Sequence, residues 1–111
     1  GHLTSLSNID STMNESDLLN PINNSLRFFK ERLKKSNIIT KLSSQYEKAF
    51  FWGNEVQLEN IFHTLITNSL ESFERQDLNN SREIEITLNG NGKNFEIKFE
   101  DNARSLYSIT S

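Results

Sequence analysis

Apolar residues follow a helical period over two stretches of the chain. In residues 53–75, a projection at 100° per residue places seven apolar side chains on one face, namely Leu58, Ile61, Phe62, Leu65, Ile66, Leu70 and Phe73. Asn54 can cap the start of this helix, and Gln57, three residues on, completes a capping box. Apolar spacings of three and four predict a second amphipathic helix over about 17–35, with Pro21 in its first turn.

Two short extended segments separate these helices. Residues 38–42 and 48–52 are rich in β-branched and aromatic side chains, which favour strands. The aromatic residues Phe50, Phe51 and Trp52 could form a stacking platform. We interpret them instead as buried against the helices.

The second half of the chain contains a strong hairpin pattern. Residues 83–88 and 94–100 alternate strictly between polar and apolar side chains. The linker 89–93 is rich in Asn and Gly, which tolerate positive φ. This pattern predicts a β-hairpin with one buried and one wet face.

The order helix, strand, strand, helix, strand, strand predicts the fold class. It indicates an α/β (α+β) two-layer sandwich, with two main helices on one face of a mixed, partly incomplete sheet. We expect this domain to span residues 17–105, and residues 106–111 to be a C-terminal tail. Residues 1–16 are predicted to be a leader, flexible or helical, that begins with the scar of a cleaved tag, Gly1-His2.

Composition excludes several classes of function. The 111 residues suffice for one domain, and the formal charge is −3. No basic run is denser than residues 30–35, so we predict no nucleic-acid binding. With no cysteine and two histidines, disulfides and a zinc centre are not expected. No apolar run approaches eighteen residues, so no membrane span is predicted.

A polar stripe lies at the edge of the apolar face of the longer helix. It consists of Thr64, Asn68, Glu71 and Arg75. A neutral asparagine carbonyl can ligate a hard cation beside a phosphate. Periodicity alone favours Asn68 as a boundary residue that bonds to water or to neighbouring backbone, and it leaves the ligand-binding interpretation open.

Three segments together resemble the ATP-binding domain of two-component sensor histidine kinases, which belongs to the GHKL superfamily. Residues 17–38, beginning Asp-Leu-Leu-Asn-Pro-Ile, resemble the opening of that domain. Residues 57–73, Gln-Leu-Glu-Asn-Ile-Phe-His-Thr-Leu-Ile-Thr-Asn-Ser-Leu-Glu-Ser-Phe, resemble its N box, the most specific part of the likeness. Asp101-Asn102 resembles the start of its first glycine box, so the likeness runs over residues 17–103.

The resemblance implies a Bergerat-like fold that binds ATP and Mg²⁺. Asn68 matches the asparagine that holds Mg²⁺ on the triphosphate, and a neutral carbonyl suits a hard cation. Asp101 matches the aspartate that accepts a hydrogen bond from the adenine amine, and a carboxylate is a strong acceptor. Thr64 and Ala103 fall at further nucleotide-binding positions. The resemblance also implies a cytoplasmic location, and as partners the other domains of a sensor kinase or a response-regulator pathway.

The sequence departs from the family pattern at several places. Thr64 stands where the family has Asn, His or Glu, and residues 101–105 read Asp-Asn-Ala-Arg-Ser instead of Asp-x-Gly-x-Gly. Because glycine lets the backbone approach adenine and adopt unusual φ values, Ala103 and Ser105 predict poor nucleotide binding. The lid, the second glycine box and the final strands do not follow, and His63 has no acceptor motif before it. We therefore expect no autokinase activity from this chain.

Two other functions are compatible with the sequence. One is a nucleotide-independent interaction or phosphotransfer module on the same scaffold, whose strand 95–100 would lie at a sheet edge and pair in a homodimer. The other is an unrelated small α/β enzyme, in which Glu71 and Asp101 are the carboxylates that could share a cleft. The kinase resemblance itself requires that Asn68 and Asp101 face one hollow.

Overall fold

The computed structural model describes residues 13–76, 81–90, 94–103 and 105–110. The described elements, in chain order, are β1 (Met13–Asp17), α1 (Leu19–Phe28), α2 (Lys30–Lys35), β2 (Ile38–Ser44), β3 (Phe50–Asn54), α3 (Glu55–Arg75), β4 (Arg82–Gly90), β5 (Phe95–Asp101) and β6 (Ser105–Thr110). They fall into two compact units, one built from residues up to 28 and 48–64, the other from 29–47 and from 65 onward. The predicted α+β class with a mixed sheet is confirmed.

The first unit is organised around a two-stranded antiparallel sheet. β1 pairs with β3 in a register that places Glu15 opposite Trp52. Asp17 ends β1, and its Oδ1 accepts hydrogen bonds from the amides of Leu19 (3.0 Å) and Ala49 (3.1 Å). One carboxylate therefore ties the beginning of α1 to the segment that leads into β3.

The expectation of a leader up to residue 16 is wrong for residues 13–16, which lie in β1. Their side chains, Met-Asn-Glu-Ser, show no apolar alternation that would have indicated a strand. Backbone pairing with β3 imposes the extended conformation instead. Residues 3–12 lie outside the described residues.

The expected burial of the β3 aromatic residues is also wrong. Trp52 is 72% exposed and Phe50 is 53% exposed, whereas Phe51 is half-buried. Phe50 and Trp52 are two residues apart, so they share one face of the strand, and Gly53 lies buried on the other face. Aromatic content indicated the strand correctly but did not indicate which of its faces is covered.

The predicted helix over 17–35 is divided at Phe29. This residue has φ −93° and ψ 4°, which is the bridge region of the backbone map, and α2 begins immediately after it. α2 ends where Asn37 adopts a left-handed φ of 58°, and its amide donates to the carbonyl of Lys34 at 3.0 Å. The apolar spacing therefore predicted the helical residues but not the break between them.

The second unit contains a four-stranded mixed sheet in the order β2-β4-β5-β6. β2 runs parallel to β4, and the other two pairs are antiparallel. The predicted hairpin is confirmed, with Ile86 opposite Phe99. Its inward apolar side chains are buried except Phe95, which is half-buried; the buried ones are Ile84, Ile86, Leu88, Ile97 and Phe99. Each such side chain contributes about 1.5–3 kcal/mol when it leaves water, so this face supplies much of the unit's core.

α3 begins as its sequence predicts. The side-chain Oδ1 of Asn54 accepts a hydrogen bond from the amide of Gln57 at 3.1 Å, which is the expected N-cap contact. Most of the predicted apolar face is buried, including Phe62, Ile66 and Phe73, but Ile61 is exposed. Within the described residues, none of the helices is both long enough and apolar enough to span a bilayer.

Two expectations about the end of the chain are corrected. Residues 105–110 form β6, whereas the sequence predicts a tail over residues 106–111. β6 pairs with β5 along its length, from Asp101 opposite Ser105 to Glu96 opposite Thr110, so β5 is an interior strand rather than a sheet edge. The β-prone residues Tyr107, Ile109 and Thr110 carried a strand signal. The free edge on this side of the described sheet belongs to β6.

Candidate functional site

Asp101 is the last residue of β5, and strand alternation turns its side chain to the inner face of the sheet. It follows Ile97 and Phe99 at intervals of two residues and is only 7% exposed. Its Oδ2 accepts a hydrogen bond from the hydroxyl of Ser69 on α3 at 2.5 Å. A carboxylate in such a position requires hydrogen-bond donors, because burying an unpaired charge is costly.

The turn after Asp101 supplies a second donor. The amide of Ala103 donates to Asp101 Oδ1 at 3.0 Å, and the Ala103 carbonyl accepts from Nε2 of Gln76 at 3.3 Å. Ala103 itself is buried. Ser69 lies within α3 and Gln76 directly follows its last residue, so contacts from two places along this segment hold residues 101–103.

Asn102 fastens the same turn to the beginning of β4. Its Oδ1 accepts from the amide of Glu83 at 2.8 Å, and its Nδ2 donates to the carbonyl of Ser81 at 2.5 Å. Its own amide donates to the Glu83 carbonyl at 3.2 Å. The side chain therefore continues the β4–β5 ladder past the last strand residue, and the turn is held from both sides.

The other predicted site residues are more open. Asn68 and Glu71 are exposed on α3 in the second unit, and Thr64 is exposed in the first, where its hydroxyl donates to the carbonyl of Asn60 at 3.1 Å. Asn68 precedes Ser69, so it lies 100° around the helix from the residue that contacts Asp101. Glu71 lies about 200° away from Ser69, so the structure gives no support to a cleft shared by the carboxylates of Glu71 and Asp101.

Sequence reasoning missed Ser69. The signal was present, because residue 69 falls on the apolar face, three and four positions from Ile66 and Phe73. A serine at 0% exposure between such neighbours implies a buried partner for its hydroxyl. That partner is Asp101.

A charged groove reaches from the outer face of the sheet to the turn after β5. It is lined by Lys41, Glu83, Glu85, Glu100, Asp101 and Asn102, and Glu85 lies opposite Glu100 across the β4–β5 pair. Lys41 Nζ contacts Glu83 Oε1 at 2.8 Å, and this hydrogen bond and charge raise the pKa of Lys41. Because the pKa of Lys41 is higher in the folded state, the charged lysine stabilises the fold at ordinary pH. This contribution disappears only as the pH rises through the pKa that Lys41 has in the folded state. Both side chains are largely exposed, so the contact is a minor one.

Comparison with solved structures identifies the architecture. The catalytic domain of histidine kinase ThkA, in a nucleotide-free form, matches with a TM-score of 0.69 and 17% identity, over 80% of this chain and 57% of that one. ThkA in complex with the response regulator TrrA matches with a TM-score of 0.69 and 16% identity, over 90% of this chain and 32% of that one. Acinetobacter baumannii histidine kinase AdeS matches with a TM-score of 0.61 and 19% identity, over 89% of this chain and 49% of that one.

The chain has the fold of a histidine kinase catalytic domain. The predicted resemblance is thereby confirmed at the level of the fold. The chain spans little more than half the length of the first ThkA structures that it matches. No family model matches the sequence, and no curated protein does so either.

The histidine kinase fold raises the question of whether the residues present suit an adenine nucleotide. An adenine amine needs an acceptor, and the carboxylate of Asp101 is one, with each of its two oxygens bound by a donor of the chain. Ala103, at the position where the sequence resemblance predicts a glycine, is buried and carries a methyl group that a glycine lacks. Among the described residues, no three acidic or imidazole side chains converge as a metal site.

The first prediction concerns the buried carboxylate. Asp101→Ala leaves the hydroxyl of Ser69 and the amide of Ala103 without their acceptor, so we expect unfolding free energy to fall by about 2–4 kcal/mol. Glu100→Ala, on the exposed face of the same strand, should change it by less than about 0.5 kcal/mol. Urea titration measures both values. Equal effects of the two variants would contradict a stabilising role for the Asp101 contacts.

Proposed function

We propose that this chain is the ATP-binding portion of a signal-transducing sensor histidine kinase. The observation that carries the proposal is the position of Asp101 within the kinase fold. It ends an interior strand and contacts the helix that carries the N-box residues. An exocyclic amine of adenine is a donor, and a fixed carboxylate is the complementary acceptor.

Asn68 completes the proposed nucleotide site. It is exposed on α3, one residue before the serine that contacts Asp101, and is therefore available to a ligand. Its neutral carbonyl would bind Mg²⁺ on the phosphates without repelling them, since oxygen ligands suit this hard cation. Thr64, on the same helix, is an exposed hydroxyl and lacks the second amide or charge that the family places there.

We further propose that nucleotide binding is weak. Gln76 and Asp101 both hold Ala103, and the buried methyl group prevents the close backbone approach that a glycine allows. Asn102 fixes the same turn to β4, so the turn resists rearrangement. A ligand that needs space there would have to move a stretch of backbone that several hydrogen bonds hold in place.

We also propose that the chain does not phosphorylate itself. Its candidate acceptor, His63, is half-buried and stacks on Phe28 with ring centroids 4.8 Å apart. A histidine acts as a nucleophile only if the phosphoryl donor can reach a ring nitrogen, and Nε2 of this ring is buried. The complex of ThkA with a response regulator suggests partners of that class for the whole protein.

A nucleotide-independent interaction module is a second candidate function, and the free edge of β6 favours it. β6 has a partner strand, β5, on one side only among the described residues. Leu106, 65% exposed, lies in this edge strand. An open edge with an exposed apolar side chain is suited to strand pairing, and we propose a homodimer formed through β6.

The central test is a titration of the chain with ADP and Mg²⁺ by calorimetry or NMR. We expect a dissociation constant weaker than about 100 µM, and a further loss of about tenfold in Asn68→Ala and in Asp101→Asn. Glu96→Gln, on the outer face of the sheet, is the control and should bind as wild type does. Submicromolar binding that Asn68→Ala abolishes would refute weak binding, and no binding at millimolar ADP would refute the nucleotide site.

Restoring the glycines should strengthen binding. In Ala103→Gly/Ser105→Gly, the family spacing of the glycine box returns and the methyl group of residue 103 is gone. We expect ADP affinity to rise about tenfold, which corresponds to about 1.4 kcal/mol. An unchanged affinity would show that these positions do not limit binding. Thermal melting should accompany the titration, because two added glycines also increase the entropy of the unfolded chain.

The edge proposal is tested by light scattering across a range of protein concentrations. We expect wild type to dimerise and Leu106→Lys to remain monomeric, because an edge lysine opposes strand pairing. Ser108→Ala, on the same strand, should still dimerise. A wild-type monomer at the highest concentration would remove the support for a β6 homodimer.

A further inference from the structure

Ser69 is an unusual member of the buried face of α3. Its neighbours on that face, Ile66, Leu70 and Phe73, are almost completely buried, and Ser69 is fully buried with them. An alanine would fill such a position without the cost of removing a hydroxyl from water. The hydroxyl is compensated by one strong contact, the 2.5 Å hydrogen bond to Asp101. Bonds to an ionised acceptor are among the strongest that a hydroxyl makes.

The geometry of this contact constrains the orientation of the carboxylate. The torsion that turns a carboxyl group about its Cβ–Cγ bond is soft and broadly populated. In Asp101 the two oxygens have different donors, the Ser69 hydroxyl on Oδ2 and the Ala103 amide on Oδ1. One donor on each oxygen opposes rotation of the carboxylate plane. Without Ser69, Oδ2 would lose its donor on α3, whereas the donor on Oδ1 belongs to the turn that follows Asp101.

We propose that Ser69 is a positioning residue which makes this site selective for a purine with an exocyclic amine. The inference rests on the proposed nucleotide site but adds to it a residue outside the predicted set. A preoriented acceptor discriminates between ligands with and without the matching donor, because its orientation costs nothing at the moment of binding. A carboxylate free to turn accepts the amine less well and discriminates less.

The experiment compares ADP with IDP, which has a carbonyl oxygen in place of the amine. Both are titrated with Mg²⁺ into the full chain, and amide chemical shifts are followed by NMR so that millimolar affinities can be measured. The variants are Ser69→Ala, which removes the hydroxyl, and Ser69→Cys, which keeps its size but is a weak donor. Ser72→Ala, a half-buried serine three residues further along α3, is the control.

We expect wild type and Ser72→Ala to prefer ADP over IDP. In Ser69→Ala the ratio of the two affinities should fall about tenfold, through weaker ADP binding with IDP binding unchanged. Ser69→Cys should give an intermediate ratio. A purely structural role would weaken both nucleotides equally, so the ratio separates positioning from lost stability.

The outcomes that would overturn the inference are specific. An unchanged ratio in Ser69→Ala, or stronger ADP binding, would show that Ser69 does not orient Asp101 for the base. If Ser69→Ala does not fold, the Ser69→Cys ratio decides in the same way. If wild type binds neither nucleotide, the proposed site itself fails and the inference fails with it. Binding of both nucleotides with no preference in wild type overturns the selectivity while leaving a nucleotide site in place.

Discussion

The hydrogen bond between Ser69 and Asp101 is the contact on which the candidate site depends. It joins the buried face of α3 to the inner end of β5 inside one compact unit. A buried carboxylate is tolerated only with donors around it, and a buried hydroxyl only with an acceptor. Each group therefore compensates the other, and the same contact holds the turn that follows β5. Stability and the proposed binding chemistry are coupled at this point, because the same two side chains serve both.

The parts of the fold that local patterns encode could be predicted from the sequence. Polar and apolar side chains alternate in residues 83–88 and 94–100, which predicts a hairpin with one wet and one buried face. The observed register agrees, because it places the apolar Ile86 opposite the apolar Phe99. Asn54 caps α3 as expected because an N-cap contact involves residues only three apart. The candidate site residue Asp101 was predicted through resemblance to a family rather than through its own pattern, and its role stays a prediction.

The parts that depend on distant partners could not be predicted in the same way. β1 is polar and becomes a strand only because β3 lies beside it. The exposure of Trp52 depends on which face of that small sheet is covered, and an aromatic cluster gives no information about this. β6 is a different case. Its residues favour a strand, but the resemblance to a shortened family domain led to the prediction of a tail. Without β6, β5 was wrongly predicted to lie at the edge of the sheet.

The turn after β5 shows what maintains this fold where other residues stand in place of the predicted glycine box. Residues 101–103 form an ordered turn without the first glycine of the box, since Gln76, Asn102 and the Asp101 carboxylate supply its hydrogen bonds. The fold of a kinase catalytic domain therefore does not require that glycine. Glycine at this position would remove a side chain and widen the choice of φ, so it would change the space beside the turn rather than the packing of the fold. A scaffold can in this way keep its architecture whatever its site binds, because packing and the space left for a ligand depend on different atoms of the same turn.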